Sequence, residues 1–160
     1  MDITTFFTSQ ELEVVLKLFT ALLLGMSLGV ERAISGKTAG MRTYGFVTMG
    51  SALFVIIGVL SAGGYGGAVA VFTDSSARVT AAIIQGIGFL GAGLIIFRDS
   101  KVSGVTTAAG IWVAAGIGVA IGYGFYLLAV VSTVFALFIF TALWYIENKL
   151  KALVRNSEED

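Results

Sequence analysis

The residues of this chain that could do chemistry are few, and they stand mostly at the edges of long apolar runs. Asp74 and Arg78 lie four apart at the start of one run, and Glu31 and Arg32 are adjacent at the end of another. Arg42 and Arg98 border further runs, and Gln85 stands inside one. An aspartate opening a helix caps orphan backbone N–H groups, and a carboxylate–arginine pair four apart adds about 0.3 kcal/mol. A cation in a helix's first turn opposes the helix dipole. That cost points to a purpose for Arg78, so Asp74 and Arg78 are expected to be functional rather than only a cap. An unpaired carboxylate near hydrocarbon is expensive, so Glu31 is expected to pair with an arginine from a neighbouring loop, near Arg42 or Arg98. Gln85 needs a hydrogen-bond partner across helices. The chain has no cysteine and no histidine. Disulfides, zinc sites built on those residues and a histidine pH switch are therefore excluded. No nucleophile stands beside a base, so the expectation is a non-enzyme with no metal and no cofactor.

The elements that carry these residues follow from composition. Of 160 residues, 57% belong to the set AVILMFWYC, 21 more are glycine, and only 12% are charged. That charged share is about half of the ~25% usual in soluble proteins. The class is an all-α, polytopic membrane protein. A helix crosses a bilayer in ~20 apolar residues. Val14 to Val30 is the first block, interrupted by Lys17, whose stem can carry its ammonium to the interface. The 31 uncharged residues between Arg42 and Asp74 exceed one span, and Ser61 to Gly67 supplies an end, leaving Tyr44 to Leu60. Val79 to Phe97 is a third span of 19 residues. The 45 uncharged residues between Lys101 and Glu147 hold two more, Thr106 to Ile121 and Phe125 to Ile146, turning at Gly122-Tyr123-Gly124. Five spans make a transmembrane domain over residues 1–146, followed by a short charged tail, 147–160. With no proline in the chain, helix breaks must come from glycine.

Basic residues orient the spans. Arg32, Lys37, Arg42, Arg98, Lys101, Lys149, Lys151 and Arg155 share one side, against Lys17 and Arg78 on the other. Eight against two places the N-terminus outside and the C-terminus in the cytoplasm. Tyr44, Trp144 and Tyr145 at inner ends, and Tyr123 and Tyr126 at the outer turn, are expected to form aromatic belts. The first sixteen residues hold Asp2, Glu11 and Glu13 and no basic group, so the first span is expected to stay rather than be cleaved as a signal peptide. Asp74 and Arg78 are then outer-surface groups, whereas Glu31, Arg32, Arg42 and Arg98 are inner ones. A hydrocarbon thickness of ~30 Å separates them, so they are not one cluster. Zero net charge without a basic face makes nucleic acid a poor partner.

The glycines are patterned. Gly86-Ile87-Gly88-Phe89-Leu90-Gly91 matches a dinucleotide-binding spacing, but that fingerprint needs a strand before it and a soluble βαβ unit. Inside a span its glycines, with Gly93, are expected instead to admit a neighbouring helix. A sharper alternative has glycine-walled helices lining a polar cavity. Gly110, Ala114, Gly118 and Gly122 make a stripe down the fourth helix, and Gly25 and Gly29 another on the first. The third and fourth helices are therefore expected to form the packed centre, and a glycine face left over is expected to make the protein a homodimer or larger.

Four segments in order carry a resemblance: Gly29-Val30-Glu31-Arg32; Ala39-Gly40-Met41-Arg42-Thr43; Arg78 ahead of Gly86-Ile87-Gly88-Phe89-Leu90-Gly91-Ala92-Gly93; and Val102-Ser103-Gly104-Val105-Thr106-Thr107-Ala108-Ala109. Over roughly residues 12–146 the chain resembles the MgtC/SapB family of bacterial inner-membrane proteins, in a short form without that family's C-terminal cytoplasmic domain. The resemblance implies a multi-pass inner-membrane protein for adaptation to low magnesium and, in pathogens, survival in phagocytes. It implies a regulator that binds another membrane complex, the F-type ATP synthase, with Asp74 in the place of a functional acidic residue. Asp74-Ser75-Ser76-Ala77-Arg78 departs from the family's usual Asp-Pro run by lacking proline and being one residue longer. Where a polar glutamine is common in the family this chain has Ala82, and Gln85 stands a turn later. The other class is a small oligomeric transporter or channel for magnesium or another cation. Such a pathway calls for intramembrane carboxylates; residues 79–97 and 102–146 hold none, leaving backbone carbonyls at glycine breaks as ion ligands.

Overall fold

The computed structural model describes residues 8–61, 74–98, 100–143, 145, 146 and 149. They form five apolar helices, each long enough to cross a bilayer. In chain order these are α1 (Ser9–Ile34), α2 (Met41–Ser61), α3 (Asp74–Leu94), a hairpin of β1 (Ile96–Arg98) and β2 (Lys101–Ser103), α4 (Val105–Gly122) and α5 (Tyr126–Phe138). A π-helical turn, Ile139–Leu143, extends α5. The tail beyond Lys149, Trp144 and the expected turn from Ala62 to Gly67 lie outside the described residues.

Several boundaries differ from the sequence reading, and two of them have a clear local reason. The first helix begins well before Val14 because Thr8 and Glu11 form a capping box. The Glu11 N–H donates to the Thr8 hydroxyl at 3.3 Å, and the Thr8 N–H donates to the Glu11 carboxylate at 2.7 Å. Two orphan donors are satisfied at once. The third helix stops at Leu94, short of Phe97, because the chain turns into the antiparallel hairpin that pairs Phe97 with Val102. Gly104 closes that hairpin at φ +86°, and a Cβ there would strike the Leu94 carbonyl. Only glycine satisfies both conditions.

The packed centre is α4 with α1 and α2. Of the apolar window of α4, 61% is buried, against 17% for α3. Close approach explains the difference. A Cβ at Gly25 would stand 2.5 Å from the Thr48 hydroxyl and 2.6 Å from the Tyr44 carbonyl. Gly29 meets the backbone of Met41, Gly118 meets that of Thr48, and Gly122 meets Val55. Small residues let these backbones approach to contact. Helix α3 joins this core through Ile83 and Ile87 and packs on α4, but the expectation that its glycines make the contact is corrected. Gly86, Gly88 and Gly93 have nothing within 4 Å of a Cβ, and Gly91 makes only ordinary contact with Ala108. The buried line of α3 runs instead through Ser76, Ile83 and Ile87.

At the opposite end from the hairpin, Tyr123 holds α3 to α4. Its hydroxyl donates to the Ser76 carbonyl at 2.8 Å and lies 2.8 Å from the Thr80 hydroxyl. Tyr123 and Tyr44 are buried, so neither belongs to an aromatic belt, whereas Tyr126 and Tyr145 are exposed as expected. Tyr123→Phe is expected to cost about 1–2 kcal/mol and to lower the thermal unfolding midpoint in detergent. An unchanged midpoint would mean that these bonds do not hold α3.

Candidate functional site

At the hairpin end, four helices bring together a charged cluster. Arg32, near the end of α1, is 3% exposed. Its Nε donates to the Glu31 carboxylate, whose other oxygen accepts from the Ser35 hydroxyl at 2.8 Å. Its Nη2 donates to the Phe140 carbonyl at 3.4 Å, and its guanidinium carbon sits 3.9 Å above the Phe140 ring centroid. Phe140 lies in the π turn, where the regular i→i−4 ladder is interrupted. That ring meets Tyr44 edge-on, centroids 6.4 Å apart. Gly110 of α4 makes room for both rings, since a Cβ there would collide with the Tyr44 hydroxyl and the Phe140 ring. The Tyr44 hydroxyl is buried without a hydrogen-bond partner among the described residues.

The pairing of Glu31 therefore differs from the one expected. Its arginine is its own neighbour, Arg32, because a long side chain at a helix end can curl back along the backbone. Arg42 is exposed in the first turn of α2, and Arg98 is exposed on β1 with Lys101 as its cross-strand partner. Sequence reasoning missed Tyr44 and Phe140 as members of the cluster. Each is an aromatic residue at the edge of an apolar run, and no spacing rule marks it.

The far end holds a second buried cation. Lys17 is 7% exposed and pairs with Glu13 at 2.8 Å, near Gly124 in the α4–α5 turn. Its ammonium is thus held inside the protein rather than carried out to the interface. Each buried cation is neutralised by a carboxylate on its own helix. Between the two levels the described helices carry no Asp, Glu, Lys or Arg. No group of three metal-ligating side chains occurs among the described residues.

The third arrangement is the outward face of α3. Asp74, Arg78, Ala81, Gln85, Gly88 and Ala92 recur at steps of four and three, so they lie along one side of the helix. All are exposed, and the side opposite carries the buried Ser76, Ile83 and Ile87. Among the described residues no ion pair joins Asp74 to Arg78 and no hydrogen bond reaches the Gln85 side chain. The cross-helix partner expected for Gln85 is thus not supplied by this chain's described helices. The other exposed faces are of a different kind. Helix α5 presents Leu127, Leu128, Val131, Val134, Phe135 and Phe138, an ordinary lipid-facing surface. Between α2 and α3 runs an apolar groove of about 970 Å³, walled by Phe46, Phe54, Val79 and Leu90 among others.

Comparison with known proteins gives a consistent set. The family model described as the MgtC family matches residues 18–149. Protein SrpB of Synechococcus elongatus is 40% identical over 129 residues, covering 76% of this chain and 69% of that protein. The putative magnesium transporter YhiD of Escherichia coli is 39% identical over 131 residues, 79% of this chain and 59% of its own length. Protein MgtC of Salmonella typhimurium is 38% identical over 95 residues, 59% of this chain and 37% of that protein. The chain thus spans only part of these relatives. No solved structure matches.

Proposed function

Because the chain belongs to the MgtC family, we propose that this multi-pass membrane protein serves adaptation to low magnesium as a non-enzymatic regulator. It sits in the bacterial inner membrane with its N-terminus outside and its C-terminus in the cytoplasm. It acts by binding another membrane complex, such as the F-type ATP synthase. The observation that carries this reading is the distribution of buried charge. Both buried cations are neutralised by carboxylates of α1 itself, and the helices between them are apolar and close-packed on glycine. A conduit for a divalent cation requires intramembrane carboxylates or a ring of carbonyls along a path. The centre of α1, α2 and α4 offers contact instead.

The second reading is cation transport, favoured by the name of YhiD, a putative magnesium transporter. Two measurements separate them. Purified protein in liposomes should pass no more magnesium than empty vesicles, and the ATP synthase should co-purify from gently solubilised membranes. Magnesium flux without co-purification would replace the regulator with the transporter.

The outer groups give a further prediction. Asp74→Asn removes a charge without changing size and should impair growth at limiting magnesium while leaving the membrane level of the protein unchanged. If that variant complements fully, Asp74 only caps α3, and the inner cluster around Glu31 becomes the functional end.

A further inference from the structure

We propose that the outward face of α3 is the surface on which two copies of this chain pair, α3 against α3, around a two-fold axis along the membrane normal. The face is wrong for lipid. Gln85 lies eleven residues after Asp74 and nine before Leu94, which at 1.5 Å per residue puts its amide near the middle of the bilayer. It is exposed there, where water cannot satisfy it. Around it stand Ala81, Gly88 and Ala92, with the exposed Phe89 ring at the edge of the face, and no Cβ contact occupies the space beside Gly88. Lipid-facing helices carry large apolar side chains, as α5 does; helix–helix contacts carry small ones with a polar group between them.

The chemistry of the face selects a second copy as occupant. Copies inserted in the same direction can meet only in parallel, and a two-fold contact brings each residue near its own counterpart. An amide is both donor and acceptor, so Gln85 is complementary to the second copy's Gln85. At the outer end the face carries both signs of charge, Asp74 and Arg78. A parallel mate sets Asp74 of each copy toward Arg78 of the other, which accounts for the absence of a pair within one chain. The unfavourable placement of Arg78 at a helix start is then offset by a carboxylate from outside.

The test uses the whole chain in native membranes. It has no cysteine, so single cysteines report cleanly. Ala81→Cys, Gly88→Cys and Ala92→Cys should each give a disulfide-linked dimer on mild oxidation, whereas Gly86→Cys, Leu90→Cys and Leu127→Cys should give little. Adding Gln85→Leu to Ala81→Cys should weaken association roughly tenfold, as loss of a reciprocal interhelical amide pair implies. Equal cross-linking at all six positions, none at the three on the face, or cross-links from that face to a different protein would each overturn the proposal. So would an undiminished dimer in the Gln85→Leu variant. The readout needs neither magnesium limitation nor another complex, so its failure is distinct from failure of the regulatory reading.

Discussion

Gly118→Leu should leave almost no folded protein to recover in detergent. The position faces the backbone of α2, where a Cβ would already collide with Thr48 and stand 2.8 Å from the Ser51 Cβ. Neither neighbour is the free end of a flexible side chain, so α2 and α4 would have to separate. Separation would also unseat Gly122 from Val55, because the same two helices make that contact. Overpacking a core costs typically 1–3 kcal/mol where side chains can shift. Here the backbone itself blocks the new group, and more than about 4 kcal/mol is expected, a large part of the ~5–15 kcal/mol that holds a protein folded. Gly88→Leu is the matched control, since nothing lies within 4 Å of its Cβ position. It should give folded protein in wild-type amount, monomeric if the α3 face is the dimer contact. Size-exclusion profiles of the two variants settle this, and similar yields for both would sink the proposed packing centre.

Arg32→Met should lower stability by about 3–5 kcal/mol, the range for stripping one partner from a buried ion pair. The substitution keeps bulk but leaves the Glu31 carboxylate without its guanidinium and the Phe140 carbonyl without its donor. Arg32→Lys should recover only part of the loss, since an ammonium has no flat face to lie over the Phe140 ring and no fork to reach both oxygens. Replacing Glu31 as well, as Glu31→Gln with Arg32→Met, should be milder than Arg32→Met alone, because no unpaired charge remains. Thermal unfolding in detergent measures all three. A double variant no more stable than Arg32→Met would place the loss in packing against Phe140 rather than in charge.

Five spans were legible because uncharged runs are long and charges mark their ends. The capping box at Thr8 and the hairpin after Leu94 leave no mark on hydropathy, which averages across both. The stripes at Gly25, Gly29, Gly110 and Gly118 make close contacts within the chain. Gly86, Gly88 and Gly93 make none, because a small residue invites a neighbour without stating that one arrives from the same chain. The acid and base residues were all visible, yet their pairing was not. Glu31 pairs with the adjacent Arg32, and Phe140, from the π turn, meets that guanidinium with both its carbonyl and its ring.

The two glycines with positive φ at the hairpin end of the molecule set opposite limits on chain length. Gly104 is wedged against the Leu94 carbonyl, so the α3–α4 connection has no slack, and an added or deleted residue there would pull the two helices out of register. Gly36, at φ +65° between α1 and α2, has nothing within 4 Å, and it and the next two residues are exposed. Loop closure grows only slowly more costly with length. An epitope or fluorescent label inserted at Gly36 therefore leaves the helix contacts untouched, whereas the equivalent insertion at Gly104 does not.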